Sequence, residues 1–519
     1  MPLFAAPLCV VAVAWPFLFA YTDSPISNFW PLLNAWVCAG VLLAAWAWRV
    51  RADGVAGWAR AGAPRAQPLA GGLLLAAVVA GCIGLAQYAV GDVGLQPWVH
   101  PSQPGQAAGN LRQRNQQATL LALGAWALLW CVLHGPLRSG AAQGVRRAAA
   151  VVGMVFLAVA AAATASRTGA VQWALVAVLA VMWRRTGRGG AARLAVLGCG
   201  VFLVAAWVLP ELLWRWQGVR ADALFHRFTD TSPGCTSRRV LWSNMLTLIA
   251  QKPWVGWGWG ELDYAHYVTL FPGDRFCVLL DNAHNLPLHL AVELGLPTAA
   301  LACAAVAGWV LWSRPWREQQ PGRQLAWGVL ALIGLHSMLE YPLWYGPFQL
   351  AALFAVGVLA WPAAGAPHRP GAGRGAWPLA GVLGGAAVLV WGVCALAAWD
   401  YFRVSQLYKA NTARAAAYRD NVQAKVTSSV LFTHQLQFAR LTTTPLTRDN
   451  AEPLHRMALD LLHYSPEPRV IQVVIESAVM LGRDDEAAFH MKRYRLAYPK
   501  EYARWTAASA PAASSAASR

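Results

Sequence analysis

The sequence predicts an all-α, polytopic membrane protein, and three observations support that fold class. Of its 519 residues, 57% are hydrophobic and only 13% are charged, whereas soluble domains carry roughly 25% charged residues. Apolar runs long enough to span a bilayer recur along the chain. Arginine and lysine are concentrated in alternate connections between those runs. Together these observations favour an integral membrane protein over a soluble protein with many buried helices.

Eleven apolar runs are the predicted transmembrane helices, and a long hydrophilic stretch separates the seventh from the eighth. The runs lie at about residues 3–20, 29–48, 69–90, 118–133, 148–165, 169–183, 194–211, 286–312, 325–341, 346–361 and 378–399. We interpret the first run as a retained helix, because no basic segment precedes it and no convincing cleavage site follows it. The predicted domains are the first seven helices (1–211), a large loop (212–285), the last four helices (286–399), a helical domain (400–505) and a disordered tail (506–519).

The distribution of cations predicts the orientation of the chain. One set of connections holds sixteen arginines, and the alternate short connections hold three. The sixteen are Arg49, Arg51, Arg60, Arg65, Arg138, Arg146, Arg147, Arg184, Arg185, Arg188, Arg193, Arg314, Arg317, Arg323, Arg369 and Arg374. By the positive-inside rule this set is cytoplasmic, so the N-terminus lies inside, and the large loop and the tail after residue 400 face outward. The net charge of +18 is therefore interpreted as a topology signal, and no nucleic-acid partner is predicted.

The cysteines predict no metal site. Seven of the nine lie in apolar runs, where cysteine behaves as a small hydrophobic residue. No CxxC pair or HExxH motif is present. Cys235 and Cys277 lie in the large loop, where an oxidising compartment would allow a disulfide, and the sequence leaves that pairing open.

Three arginines depart from the charge bias and are candidate ligand contacts. Arg112 and Arg114 occur in GNLRQRNQ (109–116), among amides that include those of Asn110 and Asn115. Two guanidiniums beside amides suit a phosphate or diphosphate, and the alternative is headgroup anchoring.

The third arginine is Arg167 in SRTG (166–169), where two spans meet with almost no loop. A cation held there usually faces protein or a water-filled cavity. A further pair, Arg238 and Arg239, opens the amphipathic segment TSRRVLWSNML (236–246), which is typical of a helix lying along the membrane. For this pair, interfacial anchoring alone is the alternative.

A histidine follows a run of alternating tryptophan and glycine (253–260) in the large loop. Asn285 is a good N-cap for the eighth span, and His284 directly precedes it. The positive end of the helix dipole disfavours the imidazolium form there, and a neutral imidazole is what a general base needs. A structural role is the alternative for His284. The nearby Glu261 and Asp263 are interpreted as ordinary solvated loop carboxylates.

The segment HSMLEYPLWY (336–345) places His336 and Glu340 one helical turn apart near the end of the ninth span. A carboxylate at that depth is costly and indicates a functional site by default. The alternative is an interhelical hydrogen bond or an ion pair with one of the arginines. In the tail, residues 466–502 resemble a tetratricopeptide-like helical hairpin, although a packed helical cap is the favoured interpretation.

These motifs, in this order, resemble the bacterial O-oligosaccharyltransferases, or pilin glycosylation ligases, of the O-antigen ligase and polymerase superfamily. The resemblance rests on GNLRQRNQ, SRTG, the run from Arg238 to Gly258, DNAHN (281–285) and HSMLEYPLWY. It implies a GT-C-type fold and en bloc transfer of a glycan from undecaprenyl diphosphate to a serine or threonine of an exported acceptor protein such as pilin. It places this enzyme in the bacterial inner membrane with its active site facing the periplasm, and implies no nucleotide sugar, metal or other cofactor.

By this resemblance, His284 matches the family's essential histidine, and Arg167 with Arg238 or Arg239 matches its loop arginines. We expect Arg112, Arg114, Arg167, Arg238 and Arg239 to converge near the diphosphate. His284 is the expected base, with Glu340 as second choice or as the group that orients it. The expected supporting residues are Asn110, Asn115, Asn285, His336 and Tyr341.

Two other functions fit the same residues. An O-antigen ligase acting on lipid A core, or an O-antigen polymerase, would use the same chemistry with another acceptor. A transporter of lipid-linked glycans would need charges on both leaflets of a central cavity, whereas the unusual polar residues here cluster on the outward side.

Overall fold

The chain forms an all-α membrane protein, as predicted. The computed structural model describes residues 5–60, 62–134, 141–184, 190–224, 234–360 and 376–509, and this part of the chain contains helices and no strand. The helices are α1 (Ala5–Leu18), α2 (Phe29–Arg60), α3 (Gly62–Val90), α4 (Arg114–His134), α5 (Ala141–Ala163), α6 (Arg167–Met182), α7 (Gly190–Gln217), α8 (Arg238–Gln251), α9 (Leu262–Val268), α10 (Leu286–Ser313), α11 (Pro321–Ser337), α12 (Gly346–Ala360), α13 (Ala376–Ser405), α14 (Val422–Lys425), α15 (Thr433–Thr443), α16 (Ala451–Tyr464), α17 (Pro468–Met480), α18 (Asp484–Ala497) and α19 (Pro499–Ser509).

Each predicted span coincides with one helix of the sets α1–α7 and α10–α13. Seven spans are long and apolar enough to cross a membrane, and they are Phe29–Ala52, Ala66–Val90, Arg114–His134, Gln143–Ala163, Gly190–Gln217, Leu286–Arg317 and Pro378–Tyr408. Three shorter helices are also apolar: Ala6–Leu18, Arg167–Met182 and Gly346–Ala360. A polytopic fold is therefore confirmed, while the count of eleven spans and the orientation stay predictions.

Some sequence predictions fall outside the described residues. Among the cations of the topology argument, these are Arg138, Arg185, Arg188, Arg369 and Arg374. The predicted disordered tail begins at residue 506, whereas α19 continues to Ser509. Residues 510–519 lie beyond the described part of the chain.

The chain divides into two compact units. The first comprises Met1–Thr231 and Trp309–Ala398, and the second comprises Ser232–Gly308 and Trp399–Arg519. In the first unit α4 is the central helix, because every residue from Gln116 to Trp130 is buried. Such a helix must be almost wholly apolar, since no side of it reaches solvent or lipid. Apart from His134 at its end, the charged and amide residues of α4 therefore lie in its first turn, where they need partners.

The second unit joins the large loop to the C-terminal helices. The ring of Tyr264 in α9 stacks on His463 of α16, with 3.8 Å between ring centroids. The hydroxyl of Tyr267 lies 3.0 Å from Nδ1 of His490 in α18. Arg493 donates a hydrogen bond to the carbonyl of Val268 (2.7 Å). A disulfide links Cys235 to Cys277 within the same unit, so the pairing that the sequence left open is formed.

Two carboxylates of this loop were wrongly interpreted as ordinary solvated residues. Oε2 of Glu261 lies within hydrogen-bonding distance of Nδ1 of His463, at 2.7 Å. Desolvation by burial raises the pKa of Asp263 to about 8, with smaller contributions from Glu261 and Asp281. The physical reason is the packing of α9 against the tail, which removes this stretch from water.

Backbone N–H groups of the tryptophan–glycine run (253–260) bond to carbonyls at an interruption in α10. Gly295 interrupts that helix with φ 82° and ψ 163°, and Pro297 has no N–H to donate to the carbonyl of Glu293. The backbone N–H of Gly258 donates to that carbonyl instead (2.9 Å), and Trp257 donates to the carbonyl of Val292 (2.9 Å). The run therefore satisfies backbone groups that the broken helix would leave without partners.

Substituting Gly256 by alanine is expected to destabilise the second unit. A Cβ at this position would lie 2.3 Å from the carbonyl oxygen of Glu293, and the residue has φ 71°. The matched control is Gly260→Ala, because Gly260 has φ 79° but no atom within 4 Å of the added Cβ. We expect the left-handed backbone to cost about 1–2 kcal/mol in both variants and the clash to lower the melting temperature further in Gly256→Ala alone. Equal melting temperatures for the two full-length variants in detergent would contradict this packing.

Candidate active site

Asn115 joins three of the sequence motifs in the first unit. It lies in the first turn of α4, and its Nδ2 donates a hydrogen bond to Oε1 of Glu340 (2.9 Å). Its Oδ1 accepts a hydrogen bond from Oγ of Ser166 (2.6 Å). One amide side chain thus connects GNLRQRNQ, SRTG and HSMLEYPLWY. The sequence left open an interhelical hydrogen bond for Glu340. A hydrogen bond is formed, but because α11 ends at Ser337 it joins α4 to the loop after α11.

Ser166 fixes the start of α6. Its Oγ accepts a hydrogen bond from the backbone N–H of Gly169 (3.0 Å), as an N-cap residue does. Because α6 begins at Arg167, this cap determines where the backbone of Arg167 lies. Arg167 itself is exposed, whereas its neighbours Ser166 and Thr168 are buried. The motif therefore holds an accessible guanidinium on a rigid helix start.

A second polar layer lies one turn further along α4. The hydroxyl of Thr119 is 2.8 Å from Nδ1 of His336 and 3.0 Å from Oε1 of Gln172. All three side chains are fully buried. His336 therefore lies inside the helix packing. It contacts Thr119, which is one turn after Asn115 on α4.

Asn110 and Arg112 anchor the loop that precedes α4. Asn110 is buried, and its Nδ2 donates hydrogen bonds to the carbonyls of Leu18 (2.6 Å) and Trp98 (2.9 Å). Arg112 has a left-handed backbone with φ 61°, and its Nη2 lies 3.4 Å from Oδ1 of Asn28. Desolvation by burial lowers the pKa of Arg112.

Arg114 forms an ion pair with a carboxylate of the same unit. Its Nη1 lies 2.7 Å from Oδ2 of Asp222, and the two side chains are 26% and 59% exposed. A diphosphate would have to compete with this carboxylate.

In the second unit, Asn285 caps α10 as predicted. Its Oδ1 accepts a hydrogen bond from the backbone N–H of Leu288 (3.0 Å). His284, directly before it, is half-buried and has a left-handed backbone with φ 50°. Its backbone N–H donates to Oδ1 of the buried Asn282 (2.8 Å). The imidazole thus projects from a loop whose backbone is fixed on both sides.

Trp242 connects this loop to the arginine pair of α8. Its Nε1 donates a hydrogen bond to the carbonyl of Ala283 (3.2 Å). Arg238 is the first residue of α8 and lies four positions before Trp242, so the two share one helix face. Arg239 lies three positions before Trp242 and shares that face too. The hydrogen bond from Trp242 therefore places the first turns of α8, with both arginines, beside the loop that contains His284.

Residues with left-handed backbone conformations occur in or next to three of the sequence motifs. Among the described residues, five residues other than glycine have positive φ, and they are Arg112, Ala165, His284, Arg314 and Asn421. Three of these lie in or next to GNLRQRNQ, SRTG and DNAHN. Such conformations cost of order 1–3 kcal/mol each and are concentrated at functional sites. The strain therefore supports a functional interpretation of these three loops.

Several residues that position the site were not predicted from the sequence. Thr119, Gln172, Trp242 and Asn282 make the contacts described above, and none was predicted. Asn115 and Thr119 are polar residues four positions apart at the start of an apolar helix, which is a signal for a shared buried face. Asn282 accepts a hydrogen bond from the backbone N–H two residues on, a local turn that asparagine favours. No sequence signal identifies Trp242, because its partner is a carbonyl 41 positions away.

Three protein-family models match the chain. A model described as "O-Antigen ligase" matches residues 152–303, which include Arg167, Arg238 and His284. A model described as "Protein glycosylation ligase" matches residues 107–131. A model described as "Virulence factor membrane-bound polymerase, C-terminal" matches residues 324–513. Every motif that the sequence analysis singled out thus lies within a matched region.

A curated relative agrees with these models. The chain is 30% identical over 122 residues to the General O-oligosaccharyltransferase of Acinetobacter baylyi. That alignment covers 24% of this chain and 21% of the relative, so the chain matches about a fifth of the relative's length.

Proposed function

We propose that this chain, which belongs to the family of O-antigen ligases and O-oligosaccharyltransferases, is a protein O-oligosaccharyltransferase. It would transfer a preassembled glycan en bloc from undecaprenyl diphosphate to a serine or threonine hydroxyl of an exported protein such as pilin. The observation that carries this choice of acceptor is the match of residues 107–131 to a protein glycosylation ligase model. That stretch contains Asn115, which makes hydrogen bonds to two other motifs.

In the proposed reaction, His284 is the general base. Its imidazole takes the proton of the acceptor hydroxyl as the hydroxyl oxygen attacks the anomeric carbon of the glycan. A new glycosidic bond forms, the bond between the anomeric carbon and the diphosphate oxygen breaks, and undecaprenyl diphosphate leaves. A single displacement of this kind inverts the anomeric configuration. The fixed backbone on either side of His284 supports this role, because a base must be held in one position relative to the attacking oxygen.

Arginines would offset the charge of the leaving diphosphate. Guanidinium groups bind phosphate oxygens through paired hydrogen bonds and stabilise charge that develops as the bond breaks. Arg167 and Arg238 are the principal candidates, because each is the first residue of a helix that is capped by a serine. Arg112, Arg114 and Arg239 are the next, and at Arg114 a diphosphate would have to displace the carboxylate of Asp222.

The proposed location is the bacterial inner membrane with the active site on the periplasmic side. The arginine bias of the connections supports that orientation. The disulfide between Cys235 and Cys277 also supports it, because it belongs to the same unit as His284 and disulfides persist in oxidising compartments.

Glu340 is proposed to position Asn115, and with it the start of α6. Asn115→Asp should lower the transfer rate roughly tenfold to hundredfold, because it replaces a hydrogen bond to a charged group, of about 1.5–3 kcal/mol, with two facing carboxylates. The double variant Asn115→Asp with Glu340→Gln restores the hydrogen bond in the reverse direction. We expect this swap to recover most of the rate in a reconstituted transfer assay. Failure of the swap, with normal thermal stability, would instead indicate that the charge of Glu340 takes part in the reaction.

The acceptor is tested in cells that lack their own ligases. The chain is expressed in such a host together with a lipid-linked glycan donor, a pilin and lipid A core, and both acceptors are analysed by mass spectrometry. Glycan on serine or threonine of the pilin is the expected result. Glycan on lipid A core alone would support the O-antigen ligase alternative, which the match of residues 152–303 favours. A polymerase, which the match of residues 324–513 favours, would instead lengthen the lipid-linked glycan.

A further inference from the structure

A short loop beside the end of α13 presents apolar side chains on its surface. In the loop of residues 427–432, Val430 is 68% exposed and Leu431 is 50% exposed. On the last turns of α13, Trp399 is 54% exposed and Phe402 is 40% exposed. Each Å² of apolar surface left in water forfeits about 25 cal/mol of stabilisation. Four such residues in neighbouring segments therefore indicate a surface that is covered by something apolar.

Hydrogen bonds to Asp400 hold the loop in the conformation that exposes Val430 and Leu431. Oδ2 of Asp400, whose side chain is fully buried, accepts hydrogen bonds from the Ser429 hydroxyl and from the backbone N–H groups of Val430 and Leu431, all at 2.8 Å. The next residue, Phe432, is buried and packs edge-on against Tyr401 at 5.2 Å between ring centroids. The backbone is thus fixed so that two apolar residues face outward and the third faces inward.

The loop lies beside a helix that is suited to the bilayer. The span Pro378–Tyr408 is long and apolar enough to cross a membrane, and Asp400 lies within it. The backbone N–H groups of Val430 and Leu431 donate hydrogen bonds to the side chain of Asp400. Both residues therefore lie next to this helix. Tryptophans such as Trp399 are enriched where a membrane helix meets the headgroups. The exposed patch is therefore continuous with a membrane-spanning helix.

Two arginines contact the loop that carries the apolar patch. The guanidinium of Arg403 lies 4.6 Å from the centroid of the Trp399 ring and donates to the carbonyl of Ser428 (3.2 Å). Arg440 donates to the carbonyl of Thr427 (2.7 Å). Residues 403–440 contain six arginines and lysines and one acidic residue. Basic residues close to a membrane bind anionic headgroups with about 1 kcal/mol each. Apolar side chains flanked by cations match a bilayer surface in both chemistry and charge.

We propose that residues 427–432 form a membrane-anchoring loop. Val430 and Leu431 insert into the bilayer at the C-terminal end of α13, and Arg403 and Arg440 lie at the level of the lipid phosphates. This anchor goes beyond the proposed transferase function and does not depend on it.

The depth of the loop is measured with spin labels in the full-length chain. A background variant has its seven free cysteines replaced by alanine, keeps the disulfide, and is reconstituted in nanodiscs of phosphatidylethanolamine and phosphatidylglycerol. Labels are placed by Val430→Cys and Leu431→Cys, each in a separate variant. Val388→Cys, 67% exposed on α13, is the bilayer reference, and Asp485→Cys, exposed at the start of α18, is the water reference. Power-saturation EPR compares collisions with oxygen, which is concentrated in the bilayer, and with a water-soluble nickel complex.

We expect the ratio of oxygen to nickel collisions at residues 430 and 431 to exceed that of the water reference severalfold and to approach that of the bilayer reference. A ratio equal to the water reference would overturn the proposal. Low collision rates with both reagents would also overturn it, because they would indicate that protein covers the patch. The measurement needs no glycan transfer, so its outcome is independent of the proposed function.

Discussion

Replacing His284 by alanine is expected to abolish glycan transfer by the full-length chain. Loss of a positioned general base lowers a rate by about 10²–10⁴-fold. Glu340, the second choice for the base, is proposed to position Asn115 and would not replace the imidazole. The rate is measured by mass spectrometry of acceptor peptides, using purified chain in nanodiscs with a lipid-linked glycan donor.

The control for this variant is His434→Ala. His434 is an exposed histidine of the tail, and its loss should leave the rate unchanged. Membrane insertion and the Cys235–Cys277 disulfide should remain in both variants, because the backbone N–H of His284, and not its imidazole, bonds to Asn282. Transfer by His284→Ala at the rate of the unmodified chain would reduce His284 to a residue that shapes the start of α10.

Replacing Arg167 by lysine should also produce a large loss of activity. Lysine keeps the positive charge but cannot make the paired hydrogen bonds of a guanidinium. Removing one preorganised donor from a developing charge typically lowers turnover by about 10²–10³-fold. Turnover and KM are measured in the same transfer assay, and the effect should fall mainly on turnover.

Arg495→Lys is the matched control, because Arg495 is exposed on α18. The melting temperature of Arg167→Lys should stay unchanged, since Ser166 still caps α6. If Arg167→Lys and Arg495→Lys turn over equally fast, Arg167 does not contact the diphosphate.

Local patterns in the sequence predicted the helical elements well. The start of α10 after Asn285 followed from a capping residue next to an apolar run, and the structure contains that cap. Helix ends were less predictable. The second span was expected to end near residue 48, whereas α2 continues to Arg60, because α-helical backbone can extend beyond the apolar run that spans the bilayer.

Contacts between distant residues could not be predicted. Asn115 and Glu340 are separated by 225 positions, and only the packing of α4 against the end of α11 brings them together. Glu261 is paired with His463, 202 positions away, so its environment depends on the fold of the tail. Gly258 donates a hydrogen bond to the carbonyl of Glu293, which Pro297 cannot do because it has no N–H. Neither residue type indicates from the sequence that these two segments lie side by side.

The central claim is that His284 and the motif arginines act on one lipid-linked donor. A cryo-EM structure of the full-length chain in nanodiscs with bound undecaprenyl diphosphate tests it most directly. We expect diphosphate oxygens within about 2.7–3.2 Å of guanidinium nitrogens of Arg167 and Arg238, and the imidazole of His284 on the side from which an acceptor hydroxyl would approach. A diphosphate held by residues from none of the motifs that contain Arg112, Arg167, Arg238 or His284 would contradict the claim.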